Sequence, residues 1–253
     1  MDSTLRDGSH AKAHKFTAEQ VAKVVAALDA AGVEVIEVSH GDGLGGSSFQ
    51  YGFSLEPQEN LLAAAQSAIK DATLAILLIP GIGTVEDLEM ARHYGVKMAR
   101  ICTHVTEADI CEQHIRAAKD MGMEAVGFLM MAHMVSPDEL CEQGRKMESY
   151  GADVVYVTDS AGAMTPYDMR ARISALREAV NIQIGVHAHN NLSCAVANAL
   201  VAMDEGATNL DGCTCGLGAG AGNTQTEVLV AVLDKLGVQT GIDTFKIDRK
   251  SVV

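Results

Sequence analysis

The sequence predicts a single parallel, eight-stranded (β/α)8 TIM barrel, and three observations carry that prediction. Short apolar runs rich in β-branched residues recur eight times, a segment of helical period follows each, and 253 residues match the size of one such barrel. Strands that are apolar throughout belong to a sheet covered on both faces. A doubly wound open sheet is the rival fold. It would carry fewer strands and, in a dinucleotide binder, G-x-G-x-x-G after a strand. The glycine-rich GLGAGAGN at 216–223 instead follows the last strand, where barrels often bind anions. No linker or low-complexity tract breaks the rhythm, so residues 1–253 read as one catalytic domain.

In chain order, STLRDG is the first strand, and TAEQVAKVVAALDAAG (17–32) is the helix behind it. That helix opens on a Thr cap followed by an acid and closes on Gly. VEVIEVSH (33–40), TLAILLIPG (73–81), VKMARICTH (96–104) and MEAVGFLMM (123–131) supply strands two to five. SPDELCEQGRKMESYG (136–151) repeats the cap, acid and terminal Gly of the first helix. ADVVYVTDS (152–160), IQIGVHAH (182–189) and TNLDGCTCG (208–216) complete the eight, and the final helix covers roughly 223–237. Asn223 would open and cap that helix. Met130 and Met131 read as core, His93 and His114 as solvent-facing helical residues, and His14 as a surface-loop residue.

Composition narrows the function. Hydrophobic residues make up 48% and charged residues 21%, as in ordinary globular proteins. A net charge of −14 excludes a phosphate-backbone binder, which needs a basic face, so no nucleic-acid partner is expected. No apolar run approaches the ~20 residues that span a bilayer, and the N-terminus lacks a basic-then-apolar layout. A cytoplasmic protein without a membrane partner is the expectation. The six cysteines, with no zinc-type spacing, are expected to be reduced and structural.

In a barrel of this kind the C-terminal strand ends converge on one face, where the chemistry sits. Polar residues at those ends are Arg6, Asp7 and His10; His40 and Asp42; Thr103 and His104; His133; Asp159 and Ser160; and His187, His189 and Asn190. His187-Ala188-His189 is the sharpest signal. Residues i and i+2 of a strand point the same way, so both imidazoles face the barrel mouth. With Asp7 two strands away they make a facial set of three metal ligands with open positions. Two hydrogen-bonded histidines in a polar mouth are the plainer alternative, and Arg6–Asp7 reads equally well as a closing ion pair.

TLRDGSH (4–10), EVSHGDGLGGSSFQYGF, LLIPGIG, ESYGADVVYVTDSAGAM, GVHAHNNLS and GLGAGAGNTQTE together resemble the 4-hydroxy-2-oxovalerate aldolases of aromatic meta-cleavage pathways. These belong to a wider superfamily of pyruvate-handling, metal-dependent lyases. The resemblance runs in order from residue 2 to about residue 245. Related Claisen-type synthases usually carry Gln where this chain has His10, which separates an aldolase from the alternative acyl-transfer reading.

The resemblance implies reversible cleavage of a 4-hydroxy-2-oxoacid, such as 4-hydroxy-2-oxopentanoate, to pyruvate and a short aldehyde. It implies Mn2+, or another divalent cation such as Mg2+ or Co2+, on Asp7, His187 and His189. Arg6 would stabilise the enolate oxygen, and Ser160 would bind the pyruvate carboxylate. His10 would take the C4 hydroxyl proton, since imidazole titrates near neutral pH. Substrate contacts would fall on Arg6, Asp7, Ser160 and His187.

Family members usually continue for about eighty residues, into a helical segment that docks an acetaldehyde dehydrogenase and supplies a tyrosine near the base. This sequence ends at IDTFKIDRKSVV without that segment. The expectations are therefore no stable dehydrogenase complex, self-association as a homo-oligomer through exposed apolar surface, and, as an alternative function, a catalytically impaired stand-alone barrel.

Overall fold

A computed structural model describes residues 1–251. Eight parallel strands run in the order β1 to β8: Asp2–Leu5, Val35–Val38, Thr73–Leu78, Met98–His104, Glu124–Met130, Val154–Asp159, Gln183–Ala188 and Asn209–Leu210. Each pairs with its sequence neighbour. The ring closes where Asp2 bridges Gly212: Ser3 N–H donates to the Gly212 carbonyl at 2.9 Å, and Gly212 N–H donates to Met1 at 3.1 Å. The expected (β/α)8 barrel is therefore closed.

Helices α1 to α8 alternate with the strands: Ala18–Ala30, Gln58–Ala68, Val85–His93, Glu112–Asp120, Pro137–Ser149, Pro166–Ala179, Ala195–Asp204 and Thr226–Lys235, with α9 at Thr244–Ser251. Their starts are written in the sequence. Thr17 and Ser136 form reciprocal capping boxes with Gln20 and Glu139, satisfying backbone donors that a helix N-terminus leaves open. β8 is much shorter than the segment 208–216 suggested, because the chain leaves the sheet to close on β1 and to bridge Gln225 from Cys213. The last barrel helix begins at Thr226 rather than 223, so Asn223 is not its cap.

The main apolar core lies between sheet and helices, built from residues such as Val25, Ile36, Ile76, Ile101, Leu129, Val155 and Ile173. A second, smaller cluster fills the barrel itself, including Leu77, Met98, Val126, Phe128 and Tyr156. The guanidinium of Arg100 lies 4.5 Å from the ring centroids of both Phe128 and Tyr156. Such cation–π contacts help hold a desolvated charge. Gly185 leaves the room: a Cβ there would fall 2.2 Å from the Tyr156 ring. No helix among the described residues is long and apolar enough to cross a membrane.

Candidate active site

The C-terminal strand ends enclose a cavity of about 180 Å³ lined by Arg6, Asp7, His10, Ser160, His187 and His189, among others.

Asp7, His187 and His189 present one ligand atom each, all within 4.8 Å of one another. β7 places both imidazoles on one side, and Asp7 arrives from the short 3-10 turn Asp7–Lys12 that follows β1. Asp7 Oδ2 lies 3.4 Å from His187 Nε2 and 3.9 Å from His189 Nε2. Each imidazole is engaged at its other nitrogen. His187 Nδ1 donates to Asp211 Oδ2 at 2.8 Å, and His189 Nδ1 to the Ala219 carbonyl at 3.3 Å. The two Nε2 atoms are left to face the carboxylate, and His187 Nε2 is buried without a hydrogen-bond partner among the described residues. An imidazole held at Nδ1 by a carboxylate or carbonyl is the arrangement that orients histidine towards a metal.

A ring of buried charge supports the trio. Arg6 Nη1 reaches Asp7 Oδ2 at 2.6 Å, and Arg6 Nε reaches Glu37 Oε2 at 2.8 Å. Glu37 Oε2 also lies 3.0 Å from Arg100 Nη1. Arg100 Nη2 donates to Asp211 Oδ2, which returns to His187 and thence to Asp7. Tyr156 donates to the other Asp211 oxygen at 2.9 Å. Every member is almost wholly buried. Burial alone would raise Asp7, but Arg6, His187 and His189 hold it well below the usual carboxylate range. Asp211 is likewise lowered against its burial by Arg100 and His187. His187 is raised, because its two carboxylate neighbours outweigh burial. His189 is lowered to about 4 by burial and by His187.

The chain matches the HMGL-like family model over residues 1–253. The chain belongs to the HMGL-like family. Relatives that match nearly the whole chain carry an aldolase name. A protein from Carboxydothermus hydrogenoformans named 4-hydroxy-2-oxovalerate aldolase is 60% identical over 98% of this chain and 74% of its own length. One of the same name from Moorella thermoacetica is 61% identical over 98% of this chain and 73% of its own. The barrel also superimposes on the HMG-CoA lyase of Brucella melitensis, with a TM-score of 0.85 at 18% identity over 99% of this chain and 95% of that one. The carboxyl transferase domain of Rhizobium etli pyruvate carboxylase gives 0.85 at 20% identity, over 99% of this chain and 45% of that one. At such identities the two structures speak for the fold alone.

Of the polar strand-end residues read from the HMGL-like sequence, Arg6, Asp7, His10, Asp42, Ser160, His187 and His189 line one cavity. Others turn away into structure. Asp159 accepts the backbone N–H groups of Ala163 and Met164 at 2.9 Å, and Asn190 accepts Ala195 N–H. Asn223 bridges to His189 through the backbone and donates from its side-chain amide to Cys213 Sγ.

Three expectations are corrected. His14 is not a surface residue: it is 9% exposed, and its ring stacks on His40 at 3.7 Å between centroids. His114 is buried rather than solvent-facing. Met130 packs half-buried against the barrel cluster while lining the cavity, and half-buried Met131 turns with a positive φ of 59°, so neither is a fully buried core residue. Glu37, Arg100, Tyr156 and Asp211 were missed as a group. For Glu37 and Arg100 the available signal was a charged residue inside an otherwise apolar strand, which burial permits only when it is paired.

Proposed function

We propose that this chain is a divalent-metal-dependent aldolase that cleaves 4-hydroxy-2-oxoacids, such as 4-hydroxy-2-oxopentanoate, reversibly to pyruvate and a short aldehyde. The observation that carries the reading is the paired orientation of His187 and His189, each fixed through Nδ1 with Nε2 turned to Asp7. That donor set fits a divalent ion, with Mn2+ the proposed occupant and Mg2+ or Co2+ alternatives. When bound there, the ion supplies Lewis-acid stabilisation of a 2-oxo acid as it becomes an enolate.

The chain's own residues do the remainder. Arg6 keeps Nη2 free of protein partners among the described residues while Nη1 and Nε are anchored, so this donor is available to a developing enolate oxygen. Ser160 Oγ accepts the Met131 N–H at 3.0 Å, which leaves its own proton to donate to the pyruvate carboxylate. His10 stands at the cavity edge, its ring against Gly41. It takes the proton of the C4 hydroxyl as the C3–C4 bond breaks; the bond's electrons pass to the C2 carbonyl, and protonation at C3 then gives pyruvate.

Purified chain supplied with Mn2+ should release pyruvate and aldehyde in equal amounts from 4-hydroxy-2-oxopentanoate, and chelator should abolish the release. His189→Ala should bind Mn2+ far more weakly in equilibrium dialysis while retaining its circular dichroism. Parental Mn2+ affinity in that variant would overturn the ligand assignment.

A further inference from the structure

His14 occupies a position that its backbone resists. Ala13 and His14 follow one another in the left-handed region, at φ 48° and 59°. Non-glycine residues seldom adopt that conformation, and strain of this kind collects at functional positions. It tucks the His14 ring between two others, stacked on His40 and edge-on to His10 at 5.0 Å between centroids.

The tautomers follow from the hydrogen bonds. Ser9 Oγ donates to the Arg6 carbonyl at 2.6 Å, so it accepts from His14 Nδ1 at 3.1 Å. The proton of His14 therefore sits on Nδ1, and Nε2 carries a bare lone pair. His40 is committed elsewhere: its Nδ1 accepts the Asp42 N–H, and its Nε2 donates to the Gly52 carbonyl. His10, His14 and Asp42 offer one ligand atom each within 4.8 Å of one another.

We infer that His10, His14 and Asp42 form a second metal subsite, separate from Asp7–His187–His189, that takes Zn2+ or a similar transition-metal ion. Two imidazoles and one carboxylate favour zinc, copper or nickel over magnesium or calcium, which prefer oxygen donors. Tetrahedral coordination at about 2.0–2.1 Å needs donor atoms closer than 4.8 Å. His10 and Asp42, both only partly buried, can swing to close that gap, while packed His14 stays fixed. Occupancy would tie up the lone pair of His10. Resting on the proposed aldolase reading, this makes the subsite inhibitory: the ion captures the base and leaves the first metal in place.

Binding is tested without reference to activity. Asp7→Asn, with the first site disabled, is dialysed against Zn2+ and its bound metal measured. One equivalent is expected, and it should be lost when His14→Asn or Asp42→Asn is added. Asn tolerates left-handed backbone, and Asp42 is partly exposed, so at least one double variant should fold. No bound zinc in Asp7→Asn, or binding unaltered in a folded double variant, overturns the subsite.

The inhibitory role has its own arm. In Mn2+-saturated chain, Zn2+ should suppress pyruvate release by tenfold or more, and a tenfold rise in Mn2+ should not restore it. His14→Asn, compared with its own zinc-free rate, should be insensitive. Full rescue by Mn2+ would place the inhibiting zinc at the first site and overturn the inhibitory role. A chain without aldolase activity would defeat the functional reading and leave the dialysis result standing.

Discussion

His187 Nδ1 lies 2.8 Å from Asp211 Oδ2, while its Nε2 faces Asp7 across 3.4 Å with no hydrogen bond. Asp211 thus decides which nitrogen of His187 is left bare. Asp211→Asn should weaken Mn2+ binding about 10- to 100-fold, the usual effect of losing a partner behind a metal-ligating histidine. Calorimetric titration of the folded variant reads this directly. Parental affinity would show that His187 is oriented by something else.

His10 is separable from the metal trio. His10→Ala should bind Mn2+ normally yet cleave 4-hydroxy-2-oxopentanoate about 10²–10⁴ times more slowly. Exchange of the pyruvate methyl protons needs no C4 hydroxyl deprotonation and should suffer much less. Equal losses in both assays would reduce His10 to shaping the cavity.

Gly41 makes room for that base. A Cβ at Gly41 would fall 2.5 Å from His10 Nε2. Gly41→Ala should fold and hold metal while pushing the imidazole aside. A displacement of about 1 Å can cost roughly 10²-fold in rate, so cleavage should fall strongly with Mn2+ affinity unchanged. Parental turnover would mean that His10 acts from another position.

Glu37 sits between two buried arginines, 2.8 Å from Arg6 and 3.0 Å from Arg100. Glu37→Gln keeps the shape and removes the charge both cations face. Breaking a buried pair in this way costs about 3–5 kcal/mol. Urea unfolding at neutral pH should show a loss of that order, and a loss below about 1 kcal/mol would mean that solvent reaches the ring.

Metal-free chain should lose stability in mild acid. His14 and His189 are each lowered to about 4 from an ordinary 6.5. Between those values the unfolded chain takes up protons that the folded chain refuses, so their contribution is complete above pH 6.5 and declines as pH falls towards 4. His187 is raised, so its contribution has the opposite sign and is lost as pH rises. His14→Asn should flatten the fall in urea midpoint across the lower window. An unchanged slope would mean that His14 is accessible to protons in the folded state.

The barrel and the clustering of Asp7, His187 and His189 were legible because each rests on a local rule. Thr17 and Ser136 announce helix starts, and the i, i+2 spacing of His187 and His189 survives folding because β7 is regular. The charged ring was not legible, because Glu37 and Arg100 come from β2 and β4 and Asp211 from just beyond β8, and they join only when the barrel closes. His14 was misjudged for a related reason. Its sequence neighbours Ala13 and Lys15 suggest a loop, while its burial depends on His40, brought in from the end of β2. Asn223 reads as a cap from local preference, yet the helix starts three residues later.

The barrel's seam joins segments far apart in sequence: Thr226 Oγ1 donates to Asp2 Oδ2 at 2.9 Å across 224 residues, and Ala219 N–H reaches Asp7 Oδ1 at 2.8 Å across 212. A ribosome makes Asp7 well before the residues that orient it. Until then the first strand has neighbours on one side only, and the loop to be closed is nearly the whole chain, with the entropy that implies. The Asp7–His187–His189 cluster is therefore among the last features of the barrel to form. A nascent chain released before β8 would carry Asp7, His187 and His189 and still lack the geometry to use them, which ties competence to completed folding.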